Sequence, residues 1–418
     1  MEKVILKEIK VEGNRCEYIF TIPQVLAKYI ADPNQNLFVE LPEEFNLKDV
    51  PEALLAVPFV GSMMCATMLL NIGIEVPQLD EKFFNCIPNV ANVYHKMFPY
   101  ADFCFDVKAN QLVDCSYETI NTPSVFFTGG LDATSALIEH IDEKPLLVNI
   151  WGGDVLLSDS DANKALNQYF IRLTKQIGNN YVFLKSNCRR YFTEVILEQE
   201  VLNKIIKPEH NHGWWASIAH ILSMTTVIAP MLYLKRIGHH YVGSSYAANS
   251  FGFDANNKEM NDAIKYASAN FDIVDDKLER PDKAKKIIQY CESHNLKVEF
   301  KVCWYSKASV NCSHCEKCYR TMLNILNNHA DPNNYGFKID AKGFKKMHRF
   351  ALYNRVNEAF WEANRKIFLE DADYWRKDKN MSWILDIDFN NERRIKLYNY
   401  YRRIRGILGR IKNKLFHR

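Results

Sequence analysis

The chain has 418 residues, of which 47% are hydrophobic and 25% charged, a composition typical of a soluble globular protein with two or three domains. Its formal net charge is only +3, yet residues 393–418 contain ten Lys or Arg and no Asp or Glu, which leaves −7 for residues 1–392. This acidic body argues against a broad nucleic-acid-binding surface there. The sequence predicts no signal peptide and no transmembrane helix, so we expect a cytoplasmic protein.

Residues 1–118 predict a small N-terminal α+β domain. Two β-rich runs at 4–6 and 18–22 flank a turn at 12–15, which predicts a hairpin. We expect a further strand at 37–41 and a largely buried helix over 51–71, opened by a proline.

The pattern changes to strand, turn and helix across residues 119–330. Apolar runs of strand length recur at 124–127, 145–151, 181–184 and 240–243. This alternation predicts an α/β fold, a parallel sheet with helices on both faces, and ligands of such sheets bind beyond the carboxyl ends of the strands. The residues expected at that rim are Thr128, Gly129, Gly130, Asp154, Ser186 and Ser244. Residues 331–418 predict a helical extension.

A glycine loop, Thr128-Gly129-Gly130-Leu131-Asp132-Ala133-Thr134, follows the first of these strands and precedes a helix. Two adjacent glycines let the backbone approach a phosphate, and the unpaired N–H groups at the start of the helix point towards it. Thr128 and Thr134 can add hydroxyl donors. The alternative is an ordinary glycine turn before a helix capped by Asp132, since Asp is a favoured N-cap residue.

Four of the eleven cysteines lie close together in the sequence: Cys303, Cys312, Cys315 and Cys318. Their C-x8-C-x2-C-x2-C spacing places thiolates on a tight knuckle and lets the upstream cysteine complete a tetrahedron, which predicts a closed, structural Zn²⁺ site. An iron–sulfur cluster uses the same ligands, and His314 is an alternative donor. The other cysteines are scattered, which is typical of reduced thiols in a cytosol.

The glycine loop resembles the Ser-Gly-Gly-x-Asp-Ser motif of the PP-loop ATP pyrophosphatases, with the family's strand before it and helix after it. Thr128 stands for the first Ser and Ala133 for the second, so one hydroxyl is kept and one is lost. The resemblance implies an adenine nucleotide alpha hydrolase-like fold. The residues it assigns to ATP are Thr128, Gly129, Gly130, Leu131, Asp132 and Thr134. It also implies Mg²⁺, which neutralises the departing pyrophosphate.

The four cysteines after this loop look like those of 7-cyano-7-deazaguanine synthases, which belong to the same superfamily. The substrate loop of those synthases is matched here only by Ser244-Ser245-Tyr246, and both terminal regions of this chain are foreign to them. The layout looks closer to PP-loop proteins of bacterial polysaccharide gene clusters.

A segment that resembles the acidic and Lys-bearing part of PP-loop enzymes lies between 272 and 283. It carries three aspartates over 272–276 and then Lys283, which this resemblance assigns to Mg²⁺ and triphosphate. Lys283 and Asp132 are therefore the predicted catalytic residues. Alternatively, Asp282 caps the helix that follows and Lys283 lies on the surface.

Two polar groups near the predicted strand ends have less specific patterns. His212, Trp214, Trp215 and His220 can wall a substrate pocket with proton-relaying histidines, or the tryptophans belong to the core and the histidines to the surface. Arg189 and Arg190 can bind a substrate carboxylate or phosphate, or lie at a solvated helix start.

The basic tail predicts an amphipathic helix. Apolar residues recur there at three- and four-residue steps, namely Leu397, Tyr400, Tyr401, Ile404, Ile407, Leu408, Ile411 and Leu415. Basic residues fill the remaining face. Such a helix can bind an anionic membrane surface, which would place the protein peripherally at the inner membrane. Docking on its own acidic body and RNA binding are the alternatives.

Together these features predict an ATP-dependent enzyme that adenylates a small-molecule or sugar-linked carboxylate. The resemblance implies that ATP is cleaved between its α- and β-phosphates with release of pyrophosphate, and that an ammonia-like nucleophile then displaces AMP. A non-catalytic nucleotide-binding regulatory module is the alternative favoured by Ala133. A tRNA-modifying PP-loop enzyme is the alternative favoured by the tail.

Overall fold

The computed structural model describes residues 1–245, 253–303 and 311–416, with side chains as far as Ile404 in the last helix. These residues form two compact units, Met1–Leu278 and Glu279–Arg418. All strands of the described residues belong to the first unit and form a mostly parallel sheet accompanied by many helices. The prediction of an α/β fold is confirmed at this level.

The first unit contains both the strands of the sheet and the helices that connect them. Its strands are β1 (Lys3–Glu12), β2 (Arg15–Thr21), β3 (Phe38–Glu40), β4 (Gly73–Asp80), β5 (Val107–Val113), β6 (Ser124–Phe126), β7 (Leu146–Trp151), β8 (Tyr181–Ser186), β9 (His239–Gly243) and β10 (Asn270–Val274). Its helices are α1 (Gln24–Ala27), α2 (Glu52–Leu70), α3 (Glu81–Met97), α4 (Leu131–Glu139), α5 (Ser160–Ile177), α6 (Glu194–Leu197), α7 (Asn203–Ile205), α8 (His220–Val227), α9 (Ala229–Leu234) and α10 (Lys258–Ala263). Two π-helical turns, Glu198–Leu202 and Trp215–Ala219, lie before α7 and α8.

The strands form one sheet in the order β10-β9-β6-β7-β8-β3-β2-β1-β4-β5. Every pair among β6 to β10 is parallel. The chain moves from β6 to β7 and β8 in one direction, whereas β9 and β10 are added on the other side of β6. The strand order therefore reverses between β6 and β9. In open α/β sheets ligands bind beyond the carboxyl ends of the strands at such a reversal.

The N-terminal strands extend this same sheet. The predicted hairpin is formed by the antiparallel strands β1 and β2, and β3 joins the two halves of the sheet by pairing with β8 through Val39–Ser186 and Glu40–Lys185. The structure thus groups the chain differently from the boundaries drawn from the sequence at 118 and 330. Main-chain pairing ties the N-terminal strands to β8, so residues 1–118 belong to the compact unit Met1–Leu278.

Helix α2 is the buried helix predicted after Pro51, which is its N-cap, and residues 53–69 are all buried. A β-carbon at Gly61 would lie 2.3 Å from Oγ1 of Thr226, so only glycine lets α8 approach this closely. Glu52–Leu70 and Trp215–Leu234 are long and apolar enough to cross a membrane by composition, but 94% and 78% of these stretches are buried within the fold. Core helices of soluble proteins have the same character.

His240 of β9 is a buried histidine inside the sheet. Its Nδ1 lies 2.7 Å from Ser124 Oγ, and its ring lies edge-on to Phe126 at 4.1 Å between centroids. Burial lowers the pKa of His240 to about 3, so the folded protein keeps the ring neutral. In the unfolded chain the pKa returns to its ordinary value of 6.5.

We expect His240 to make the fold acid-sensitive. Above pH 6.5 His240 is neutral in both the folded and the unfolded state. Below pH 6.5 His240 binds a proton in the unfolded state but stays neutral in the folded state. Its contribution to the free energy of unfolding therefore falls by up to about 1.4 kcal/mol per pH unit as the pH drops from there towards the folded pKa. Urea unfolding at pH 7 and pH 5 measures this loss, which His240→Gln reduces and the exposed control His239→Gln leaves unchanged. An equal loss in wild type and His240→Gln would contradict the assignment.

The described elements of the second unit are helical. They are α11 (Arg280–Ser293), α12 (Glu316–Leu326), α13 (Ala341–Tyr353), α14 (Glu358–Glu370), α15 (Ala372–Trp375) and α16 (Glu392–Phe416), with short 3-10 turns at Pro332–Tyr335 and Ser382–Leu385. Trp361 of α14 is fully buried, and its indole N–H donates to Glu316 at the start of α12 at 2.9 Å. Helix α14 therefore packs against the cysteine-bearing start of α12.

Candidate functional site

The glycine loop connects the carboxyl end of β6 to the start of α4. Gly129 has φ +78°, in the left-handed region that favours glycine. Gly130 is the N-cap of α4, and the helix has no side-chain cap. Asp132 lies in the first turn of α4 and does not cap it, which excludes the capping alternative. A helix start of this kind presents backbone N–H groups to an anion.

Both neighbouring strands fix the position of this loop at the reversal of strand order. A β-carbon at Gly243, the last residue of β9, would lie 2.6 Å from the carbonyl oxygen of Asp132, so β9 and α4 touch through their backbones. On the other side, the Asn149 amide of β7 donates to the carbonyl of Phe127 at 2.8 Å. Ser244 follows Gly243; it is buried, and its N–H donates to the carbonyl of Val274 at 3.0 Å.

The hydroxyl groups of the loop differ from the expected set. Thr134 is buried, and its Oγ1 donates to the Gly130 carbonyl at 2.8 Å inside the helix. This hydroxyl is engaged within the helix and does not replace the one lost at Ala133. Thr128, Asp132 and Ala133 are partly exposed and remain on the accessible surface of the loop.

Ser135 and Asp275 link the start of α4 to the end of β10. The Ser135 hydroxyl donates to the Asp275 carboxylate, and Asp275 has φ +60° directly after β10. Another member of the predicted acidic segment, Asp272, lies within β10, and its carboxylate lies 3.2 Å from the exposed His239 ring. Asp275 thus lies at the carboxyl end of β10 beside the start of α4, whereas Asp272 contacts the amino end of β9.

Lys283 is a fully buried residue of α11 in the second unit. Its burial excludes the surface alternative. Helix α11 has Glu279 as its N-cap, so Asp282 lies in the first turn and does not cap it. The two predicted catalytic residues, Asp132 and Lys283, belong to different compact units.

The two remaining rim residues are both engaged with the protein. Ser186 is fully buried, and its hydroxyl donates to the Phe38 carbonyl at 2.8 Å, where it helps to join β8 to β3. In this structure the Ser186 hydroxyl is engaged in the sheet. Asp154, after β7, is about half exposed and forms an ion pair with Arg189 at 2.6 Å.

A polar-aromatic cluster follows β7 and β8. The Arg189 guanidinium, held by Asp154, lies 4.4 Å above the Trp215 ring, and the His220 ring lies 5.3 Å from the same tryptophan. Trp215 begins a π-helical turn, a feature found often at functional sites. Trp214, in contrast, is buried core. Burial lowers the pKa of His212, which favours its neutral form.

The four predicted metal ligands come together in the second unit. The sulfur atoms of Cys303, Cys312, Cys315 and Cys318 all lie within 4.8 Å of one another. Cys303 and Cys315 are 3.9 Å apart and Cys312 and Cys318 3.8 Å. Four thiolates about 2.3 Å from one Zn²⁺ in a tetrahedron would be separated by ~3.8 Å. The four cysteines can therefore bind a metal ion such as zinc.

The start of α12 favours thiolate at this cluster. Cys315 is the N-cap of α12, and its sulfur accepts the backbone N–H of Cys318. The hydrogen bond from the Cys318 thiol lowers the pKa of Cys315 despite burial, and the backbone N–H of Cys318 acts in the same direction. His314 points its Nδ1 to the Cys312 carbonyl at 2.6 Å, away from the ligand set.

Sequence reasoning missed Asn149 and Ser135. Asn149 is a polar residue inside the apolar run of β7, and such a residue in a buried strand needs a partner. That signal was present in the sequence. Ser135 directly follows the loop, but its partner Asp275 is 140 residues away, and no local pattern reveals such a contact. Tyr246, part of the family comparison, lies outside the described residues.

Comparisons with protein-family models, curated proteins and solved structures found no match to this chain. The fold and the sites define it as an α/β protein with a mostly parallel sheet and a four-cysteine group able to bind a metal such as zinc.

Proposed function

We propose that this chain is an ATP-dependent, PP-loop-type enzyme that adenylates a small-molecule or sugar-linked carboxylate. One observation carries the proposal: the glycine loop lies at the reversal of strand order, between the ends of β7 and β9, and the helix that follows it has no side-chain cap. Both the resemblance of the loop and the general binding rule for open α/β sheets point to a phosphate there.

The finer fold, adenine nucleotide alpha hydrolase-like with helices on both faces, is part of this proposal. Strands β6 to β10 have the order expected of a doubly wound sheet. Right-handed crossovers are the rule between parallel strands. The helices that lead from β6 to β8 and the helix α10 between β9 and β10 should therefore cover opposite faces.

In the proposed reaction, backbone N–H groups after Gly129 and Gly130 bind the β- and γ-phosphates. A carboxylate oxygen of the acceptor attacks the α-phosphorus, the bond to the bridging oxygen breaks, and pyrophosphate leaves from the loop. An ammonia-like nucleophile then attacks the acyl carbon and releases AMP. Because negative charge develops on the departing pyrophosphate, donors fixed at that point lower the barrier.

The proposal includes Mg²⁺, which the resemblance implies. A magnesium ion bound with ATP neutralises the phosphates, and it needs only one or two protein carboxylates beside them. Asp132 is the loop residue proposed for this role, with Asp275 behind it through Ser135. Lys283 stays a proposed partner of the triphosphate on resemblance alone.

The acceptor is proposed to bind near Arg189. Asp154, which pairs with this guanidinium, is about half exposed, so the carboxylate of an acceptor can exchange with it. Trp215 supplies an aromatic wall beside the same cation. The acceptor would then lie at the ends of β7 and β8, next to the glycine loop.

Product analysis tests the proposal. Purified protein is incubated with [α-³²P]ATP, Mg²⁺, ammonia and a panel of small and sugar-linked acids. The expected products are AMP and pyrophosphate in an acid-dependent reaction that Asp132→Asn slows. ADP and phosphate as the products would contradict adenylation.

Restoring the missing hydroxyl should strengthen the loop. Ala133 is partly exposed on the first turn of α4, whereas Thr134 already uses its hydroxyl within the helix. We expect Ala133→Ser to tighten ATP binding by roughly three- to tenfold, because one additional hydrogen bond contributes about 0.5–1.5 kcal/mol. A calorimetric titration measures this, with Ala136→Ser, a buried position on the same helix, as the control. Unchanged or weaker affinity would remove position 133 from the phosphate site.

The second candidate is a non-catalytic, nucleotide-binding regulatory module. The engagement of Thr134 with Gly130 favours it, because the loop then lacks the hydroxyl that the family motif carries at position 133. Saturable ATP binding without turnover on any tested acid would support this function over the first.

For the cysteine group we propose a structural Zn²⁺ site. The sulfur separations fit a single tetrahedral ion, whereas an iron–sulfur cluster spreads its thiolates over several irons. Four thiolates leave no open position, so the ion stabilises the start of α12 and takes no part in the reaction.

A further inference from the structure

One face of helix α16 docks on its own unit. Ile395 is buried, the Tyr398 ring stacks on Tyr353 of α13 at 4.1 Å between centroids, and Arg394 donates to the Leu352 carbonyl at 2.8 Å. These contacts fix the first turns of the helix on α13. They use only one side of it, centred on residues 395 and 398.

Beyond the docked side, α16 exposes a stripe of large apolar residues, and Leu397 and Tyr401 at its border also line an open cavity with Tyr353 and Tyr398. Leu397, Tyr400, Tyr401 and Ile404 have exposed fractions of 62%, 66%, 57% and 40%. Their three- and four-residue spacing places them on one helical face. At ~100° per residue, this face is turned roughly 140° away from the docked side. The structure thus leaves an apolar stripe in water on a helix that is already anchored.

The sequence continues this stripe in the same register. Ile407, Leu408, Ile411 and Leu415 follow at the same steps, and the helix runs to Phe416. Residues 393–418 also carry ten Lys or Arg and no acidic residue. The last acidic residue before them, Glu392, pairs with Arg355 and Lys396.

We propose that α16 binds an anionic membrane surface through this stripe, which is defined by the exposed residues 397, 400, 401 and 404 and which the sequence alone continues with apolar residues at 407, 408, 411 and 415. An apolar stripe inserts at the boundary between headgroups and acyl chains, while flanking Lys and Arg contact anionic headgroups. The docking of Ile395 and Tyr398 turns the stripe outwards and holds the second unit against the bilayer.

The chemistry of the stripe favours lipid over RNA. RNA binding uses cations and stacked aromatic residues, and an aliphatic series such as Leu397, Ile404, Leu408 and Ile411 gains nothing from phosphate contact. A lipid surface engages both parts of the helix at once. This inference is independent of the ATP reaction, since it concerns the second unit alone.

Vesicle co-sedimentation of the full chain tests the proposal. Vesicles of equal parts phosphatidylserine and phosphatidylcholine should bind the protein, and vesicles of phosphatidylcholine alone should bind it at least tenfold more weakly. Leu397→Ser combined with Ile404→Ser should reduce binding to the anionic vesicles by about tenfold or more. The matched control is Leu369→Ser combined with Leu112→Ser, which alters leucines of 44% and 40% exposure outside α16 and should leave binding unchanged.

Three results would overturn the proposal. The first is equal binding to neutral and anionic vesicles, and the second is vesicle binding that the Leu397/Ile404 variant retains. The third is tighter binding to a single-stranded RNA probe than to vesicles, if the Leu397/Ile404 variant keeps this RNA binding and the double variant Arg402→Gln, Arg403→Gln loses it. Circular dichroism and metal content of each variant verify that the second unit is folded.

Discussion

Replacing Cys318 with serine is expected to release the metal and unfold the second unit at temperatures where the wild type is stable. Cys318 is fully buried, and its sulfur lies 3.8 Å from that of Cys312. A structural Zn²⁺ contributes on the order of 10–16 kcal/mol in small metal-dependent folds, which exceeds the total stability of most domains. A serine hydroxyl cannot replace a thiolate as a soft ligand, so most of this contribution is lost.

Cys291→Ser provides the matched control for this experiment. Cys291 is also buried in the second unit, on α11, but it lies outside the four-cysteine group. Metal content by mass spectrometry and thermal unfolding should separate the variants: one zinc per chain and a modest loss of stability for Cys291→Ser, no bound zinc and a collapse of stability for Cys318→Ser. Retained zinc and control-like stability in Cys318→Ser would show that Cys318 is not a ligand.

Replacing Gly129 with alanine is expected to abolish most ATP binding. Gly129 has φ +78°, so a β-carbon there costs roughly 1–2 kcal/mol and drives the loop towards another backbone conformation. Misplacing phosphate donors by about 1 Å can cost on the order of a hundredfold in function. We expect an affinity loss of that order, measured by titration with ATP and Mg²⁺.

Gly178→Ala is the control for backbone strain. Gly178 has a similar φ of +71°, but it ends α5 before β8 and thus lies at the amino end of the strands. Both variants should lose similar thermal stability, and only Gly129→Ala should lose ATP affinity. Equal affinities of the two variants would mean that the loop after β6 does not bind the nucleotide.

Local sequence patterns predicted the parts of the fold that depend on local chemistry. The strands before and after the glycine loop, the hairpin of β1 and β2, and the buried helix α2 all have clear apolar patterns. Three strands were missed. Strand β4 contains Pro77, β5 is an edge strand whose apolar residues are interrupted by polar ones at 108, 110 and 111, and β10 has Asp272 at its centre. Each lacks the apolar run by which a buried strand is recognised.

The sequence predicted the two candidate sites to different extents. The cysteine group was predictable because its ligands are close in sequence and thiol chemistry limits their role. The glycine loop was predictable in position, but its partners were not. The Ser186 hydroxyl lies at a strand end but donates a hydrogen bond to β3. The Thr134 hydroxyl lies beside the loop but donates a hydrogen bond to the backbone at the start of α4. Only three-dimensional pairing decides whether such hydroxyls face a ligand or the protein.

The most direct test of the central claim is equilibrium binding of [α-³²P]ATP to the wild-type chain in the presence of Mg²⁺, with and without inorganic pyrophosphate. If the glycine loop holds the departing pyrophosphate, ATP binds saturably with one site per chain and pyrophosphate competes for that site. Absence of saturable binding at millimolar ATP, or binding that pyrophosphate does not reduce, would contradict the account.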